Sequence, residues 1–282
     1  MKKFKYIRPN NLKDACSILK RENDIKILAG GTDLLVQIKD RMKTPENLLD
    51  ITYLSELRVI RNNSNYLEIG ALSTHQDIID SDLVSNNAGI LQQACIQIGS
   101  PQIRNRGTIG GNIINASPAA DTLPPLFTLE SELILISESG ERTVKIKDFF
   151  QGPGRSIIEP NEILKSIRFK KHSNWLGHFK KLASRKALAI SKLSVAGLFL
   201  VNNGTIDQAR IAFGAVGPTI LIGKDTVALI LNKKISSISE KEISDAVIKD
   251  ISPISDLRST QEYRKAITTI LVQRILQNLM KA

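Results

Sequence analysis

The chain is poor in the residues that build metal centres. Cys16 and Cys95 are its only cysteines, and they stand far apart without companions. Two thiols cannot hold an iron–sulfur cluster, which takes a set of four ligands. A structural disulfide between them is not expected in a reducing compartment. The only histidines, His75, His172 and His178, match no zinc spacing. No metal site of the chain's own is therefore expected. Long apolar runs are also missing, so no segment is expected to span a membrane. The start, Met1-Lys2-Lys3-Phe4-Lys5, is basic but lacks the apolar stretch of a secretory signal. The expected location is the cytoplasm, where the glycosylation-like triplets Asn115-Ala116-Ser117 and Asn203-Gly204-Thr205 carry no meaning.

Several catalytic motifs are absent as well. There is no Gly-x-Ser-x-Gly nucleophile turn and no His-Glu-x-x-His helix. Neither glycine-rich loop has the spacing of a dinucleotide-binding Rossmann turn. The stretch 217–224 imitates a phosphate loop but has one residue too many between its glycines. Asp225 also stands where a Ser or Thr would bind magnesium.

What is present fits one large domain or two of ordinary size in 282 residues. Hydrophobic residues make up 42% of the chain and aromatics only 5%, so an aliphatic core is expected. The net charge of +11 comes from lysines spread along the whole chain, with no basic stripe interleaved with aromatics. That pattern argues against nucleic acid and leaves two readings open, a solvated basic surface or a face for an acidic partner.

The apolar pattern marks the elements. Leu12, Ala15, Cys16 and Leu19 recur at helical spacing between the strands around residues 4–7 and 25–29. The second of these strands runs into Gly30-Gly31-Thr32-Asp33, and a helix with Leu34, Leu35 and Ile38 follows. A further strand at residues 48–51 completes a small β-α-β-α-β unit. A strand at 67–70 comes next, then a helix capped by Ser73-Thr74, a helix at 90–98 and a polar, glycine-rich loop at 99–112. Residues 132–137 and 142–147 alternate as a hairpin around 138–141, and a strand covers 162–169. Asn202-Asn203-Gly204 signals a second hairpin between 193–201 and 206–213. Two helices are expected at the end, the last burying Ile267, Ile270, Leu271 and Ile275. The expected fold is α+β, with a larger first domain at residues 1–172 (parts at about 1–58 and 59–172) and a smaller one at 175–282.

Two loops carry the chemistry. Ala29-Gly30-Gly31-Thr32-Asp33 lies between a strand and a helix, where glycines let the backbone approach a ligand and amide groups face it. A tight turn is the alternative. Gly107-Thr108-Ile109-Gly110-Gly111-Asn112, followed by Ser117-Pro118-Ala119-Ala120-Asp121, has a composition suited to a cradle around a pyrophosphate. A glycine-rich surface loop is the alternative there. Arg104 and Arg106 are open between neutralising phosphate and forming plain salt bridges. His75 reads as a helix surface residue rather than a catalyst.

These motifs, with Ile69-Gly70-Ala71, Gln102-Ile103-Arg104-Asn105, Lys181 with Ser184-Arg185, Ser255-Asp256 and Tyr263-Arg264, follow one another in a characteristic order. In that order the chain resembles the FAD-binding, or medium, subunit of the molybdenum hydroxylases. That family includes bacterial xanthine dehydrogenase, aerobic-type carbon monoxide dehydrogenase and nicotinate dehydrogenase. The resemblance implies the two-part FAD-binding module shared with vanillyl-alcohol oxidase, followed by a smaller domain with an antiparallel sheet and helices. It implies FAD held by Ala29, Gly30, Gly31, Thr32 and Asp33 and by Thr108, Ile109, Gly110, Gly111 and Asn112. Asp121, Leu164 and Lys181 are implied as further contacts. It also implies a small subunit with two 2Fe-2S clusters, a large subunit with the molybdenum cofactor, NAD or another acceptor, and a dimer of heterotrimers. One branch of the family adds a cluster to this subunit, and the cysteines for it are missing here. No catalytic side chain is expected, because the cofactor does the redox chemistry. The alternatives are a self-contained FAD oxidoreductase on the same fold and a non-catalytic assembly subunit.

Overall fold

The structure, a computed structural model, describes residues 3–280 except 173 and 186. The first unit is the expected β-α-β-α-β. Strands β1 (Lys5–Ile7), β2 (Ile25–Leu28) and β3 (Asn47–Asp50) form a parallel sheet in the order β1-β3-β2. Helices α1 (Leu12–Arg21) and α2 (Leu34–Lys39) make the crossovers that parallel strands need. Asn11 caps α1 by accepting from the Asp14 N–H, and Leu12, Ala15, Cys16 and Leu19 are buried together with Ile18. Central β3 is buried along its whole length, as expected for a strand covered on both faces.

The second unit is an antiparallel sheet, ordered β4-β5-β10-β6-β7. Its strands are β4 (Ile60–Asn63), β5 (Tyr66–Gly70), β6 (Glu132–Ser137), β7 (Gly140–Lys145) and β10 (Ile163–Lys170). The β6–β7 hairpin is tighter than its sequence suggests. Ser137 pairs with Gly140, whose φ of +128° closes the turn, so β7 begins two positions before the expected Arg142. Between β5 and β6 the chain makes α3 (His75–Ile79), α4 (Asp82–Ile96), α5 (Pro101–Arg104), α6 (Ile109–Ile114) and α7 (Leu123–Thr128). A small hairpin, β8 (Phe150–Gly152) with β9 (Arg155–Ser156), precedes β10. Thr74, not Ser73, caps α3, sharing a reciprocal capping box with Asp77.

The third sheet is antiparallel and in chain order, with β11 (Leu176–Ala183), β12 (Ser191–Asn202), β13 (Thr205–Gly214) and β14 (Leu221–Ile222). Asn203 and Gly204 both take positive φ, +49° and +75°, and turn β12 into β13. Helices α8 (Lys224–Ile230), α9 (Glu240–Asp250) and α10 (Gln261–Leu279) follow, three where the sequence suggested two. On α10, Leu271 and Ile275 are buried with Val272 and Leu276, whereas Ile270 is 37% exposed. The apolar stripe is rotated away from Ile270 because β12 and α9 together meet the helix from the other side.

The third sheet is covered on both faces. Ala196 and Leu198 of β12 join the core under α4 and α7, while Leu193, Val195 and Phe199 face α9 and α10. This arrangement seats β11 against α4 and brings Lys181 to the segment between α6 and α7. No described helix is long and apolar enough to cross a membrane.

Candidate cofactor site

The first loop leaves β2 at Leu28 and enters α2 at Leu34. Gly31 has φ +73°, a left-handed turn that suits glycine. Gly30 is pressed against another segment: a Cβ there would lie 2.0 Å from the Arg106 carbonyl oxygen. No side chain fits between these two backbones. The N–H groups of Gly30, Gly31, Thr32, Asp33 and Leu34 meet no acceptor among the described residues. Successive free amides around a left-handed residue form a concave anion-binding nest.

The second motif departs from expectation. Residues 99–112 are not an open loop but contain α5, a turn, and the start of α6. Thr108 is the N-cap of α6, with its Oγ1 accepting from Gly111 N at 3.1 Å. Ile109 N donates to Ser73 O, Gly110 N to Ala71 O and Asn112 N to Thr108 O. The amides that a backbone cradle would offer are thus used inside the protein. Gly110 is a packing glycine, since a Cβ would come 2.6 Å from the Ala71 Cβ. Gly111 is less crowded, but a Cβ there would still press on Thr108 Oγ1 at 3.0 Å.

The two segments enclose a cavity of about 490 Å³. Gly30, Thr32 and Asp33 line one side and Thr108, Gly111 and Asn112 the other. Ala29 and Gly31 also reach it, whereas Ile109 and Gly110 are buried behind its wall. The Asp33 carboxylate accepts from the Gln37 side chain.

His75 is not a surface residue. It is buried, lines this cavity and donates its backbone N–H to Gly107 O at 3.0 Å. Its ring backs onto Gly107, and its Nδ1 lies 3.8 Å from Cys95 Sγ. Burial, with help from nearby Arg104, lowers its pKa to about 4, so the ring is neutral at physiological pH. Burial pushes the Cys95 thiol upward, which removes it as a nucleophile. Arg104 spends its Nη1 on Ile98 O, and neither it nor Arg106 reaches the cavity lining.

Asp121 and Lys181 form a second, separate cluster. Lys181 Nζ lies 2.8 Å from Asp121 Oδ2 and 2.7 Å from Gln97 O, while Ser191 Oγ donates to Asp121 Oδ1 at 2.5 Å. Burial raises the Asp121 pKa, and the Lys181 ammonium opposes that rise. Both side chains are under one-tenth exposed, so Lys181 is not the surface lysine its neighbours suggest. The cluster touches the cavity wall through one link, Thr122 Oγ1 to Asn112 Oδ1. Leu164 sits in the core on β10, outside the cavity. Sequence reasoning missed Gln37, Lys43 and Ser191; a polar residue one turn into α2 was the only available hint for the first.

A cavity with free amides on one wall, small residues on the other and one carboxylate already engaged fits the phosphates of an extended dinucleotide. Comparison with known proteins gives the family. The family profile described as the FAD binding domain in molybdopterin dehydrogenase matches residues 2–169, and that of the CO dehydrogenase flavoprotein C-terminal domain matches residues 178–279. The chain is 32% identical over 276 residues to the glyceraldehyde dehydrogenase medium chain of Sulfolobus acidocaldarius, covering 98% of both chains. It is 38% identical over 226 residues to the nicotinate dehydrogenase FAD-subunit of Eubacterium barkeri, covering 77% of this chain and 76% of that one. A chain of carbon monoxide dehydrogenase from Hydrogenophaga pseudoflava superposes with a TM-score of 0.91 at 32% identity, over 96% of this chain and 95% of that one. Profiles, relatives and fold converge: the chain belongs to the FAD-binding medium subunits of the molybdenum hydroxylase family.

Proposed function

We propose that this chain is the electron-transfer subunit of a cytoplasmic molybdenum-containing hydroxylase or dehydrogenase. It takes electrons from iron–sulfur clusters of a small partner subunit and delivers them to NAD or another acceptor. A large partner subunit carries the molybdenum cofactor and the substrate, and the assembly is a dimer of heterotrimers. When bound, FAD supplies the redox chemistry that links such donors and acceptors. The observation that carries this reading is that Gly30 to Leu34, whose amides have no acceptor among the described residues, share one cavity with Thr108, Gly111 and Asn112.

In this reading the nest takes the pyrophosphate, Thr108 fixes the first turn of α6, and Asn112 offers its side chain from the opposite wall. The Asp121–Lys181 pair anchors the C-terminal sheet against the segment before α7, and residues 1–172 and 175–282 act as two domains. His75 stays neutral beneath Gly107 and supplies no proton.

The test uses the full chain with its two co-expressed partners. Substrate-reduced complex should pass electrons to the flavin before the acceptor is reduced, followed by stopped-flow absorption. Gly30→Ala should remove FAD and stop acceptor reduction while the metal centres are still reduced by substrate. Acceptor reduction that continues without bound FAD would contradict the proposal.

A further inference from the structure

A pyrophosphate diester brings negative charge, and the cavity proposed to hold it has almost none of the opposite sign. Asp33 and Lys43 are the only carboxylate and the only Lys or Arg among its described lining residues. The arginines that the sequence offered, Arg104 and Arg106, lie elsewhere.

Lys43 reaches the cavity through a defined chain reversal. Helix α2 ends at Lys39, and Arg41 adopts φ +59°, a left-handed conformation uncommon for a residue with a side chain. The N–H groups of Met42 and Lys43 then both donate to Gln37 O, at 2.9 and 3.2 Å. The side chain of the same Gln37 donates to the Asp33 carboxylate. One residue therefore pins the backbone at Lys43 and engages the one carboxylate among the described lining residues. Lys43 makes no ion pair among the described residues.

We propose that Lys43 is a cofactor-binding residue, its ammonium pairing with a pyrophosphate oxygen opposite the free amides of the first loop. This inference rests on the FAD reading above and adds the counter-charge that reading lacks. A merely solvated loop lysine would leave cofactor affinity unchanged.

The test is titration of the full chain with FAD, followed by flavin fluorescence at several salt concentrations, for the wild type, Lys43→Ala and Lys43→Arg. Riboflavin, which has no phosphate, serves as the control ligand. Lys43→Ala should weaken FAD binding about tenfold at low salt, the scale of one charge-assisted hydrogen bond. Its affinity should also depend less on salt, because a screened pairing is gone. Lys43→Arg should stay close to wild type, riboflavin binding should not change, and the melting temperature without ligand should hold. Equal FAD affinity and equal salt dependence in wild type and Lys43→Ala would overturn the inference. A wild type that binds no FAD would overturn the underlying reading too, and the wild-type titration alone tells the two failures apart.

Discussion

Lys181 Nζ lies 2.8 Å from Asp121 Oδ2, and the two residues come from different sheets' neighbourhoods, 60 positions apart in the chain. Lys181 belongs to β11 of the third sheet, and Asp121 to the segment before α7. The pair is buried, and Gln97 O and Ser191 Oγ complete its hydrogen bonding. Such a pair specifies one docking of sheet against helices, because either charge alone would be stranded away from water.

Replacing only one partner should therefore be costly. Lys181→Met is expected to destabilise the chain by about 3–5 kcal/mol at neutral pH, measured by urea unfolding. The Asp121 pKa is already raised by burial, and loss of Lys181 raises it further. A folded-state pKa above the unfolded one gives stability that falls as pH rises through it. The cost of Lys181→Met should thus be smaller in acid than at pH 7.

His75 gives the opposite sign. Its pKa of about 4 lies below the unfolded value, so the unfolded chain takes up a proton first as pH falls. Stability from this residue is complete above about pH 6.5 and is lost as pH falls toward 4, by about 3 kcal/mol in all. Denaturation curves of wild type and His75→Gln between those limits should converge at the acid end. Parallel curves would show that His75 is not the titrating group.

Gly110 and Gly111 are neighbours with different duties. Gly110→Ala must push against the Ala71 backbone and side chain and is expected to cost about 1–3 kcal/mol of stability. Gly111→Ala gains helix propensity but sets a methyl group 3.0 Å from Thr108 Oγ1, the cap oxygen, so the two effects oppose and its stability should change by less than about 1 kcal/mol. Its methyl group should weaken FAD binding by crowding the cavity. Thermal melts with and without FAD separate the two effects.

Thr108→Ala removes the cap of α6 and should cost about 1 kcal/mol. Thr108→Ser keeps the hydroxyl and should recover most of it. A matching loss of FAD affinity in Thr108→Ala alone would tie the cap to the cofactor wall.

Much of this was legible in the chain itself. The four-residue stripe on α1 and the Asn203-Gly204 turn express local rules, a buried helix face and a positive-φ hairpin. Gly30 and Gly31 also declared a close approach, although not that its partner is the Arg106 carbonyl. Residues 109–114 hid their helix, because two adjacent glycines look like a loop until Thr108 and the contact with Ala71 hold them. His75 looked exposed because its burial comes from Gly107 folding over it, a contact between distant segments. Lys181 and Asp121 likewise show their relation only after β11 docks.

The proposed FAD site is the cavity between the first loop and α6. The most direct measurement is the visible absorption spectrum of the purified complex, with released cofactor identified and counted against this chain. Flavin absorption and roughly one FAD per chain are expected, as for a largely pre-formed cofactor pocket. A colourless complex that takes up no added FAD would contradict it.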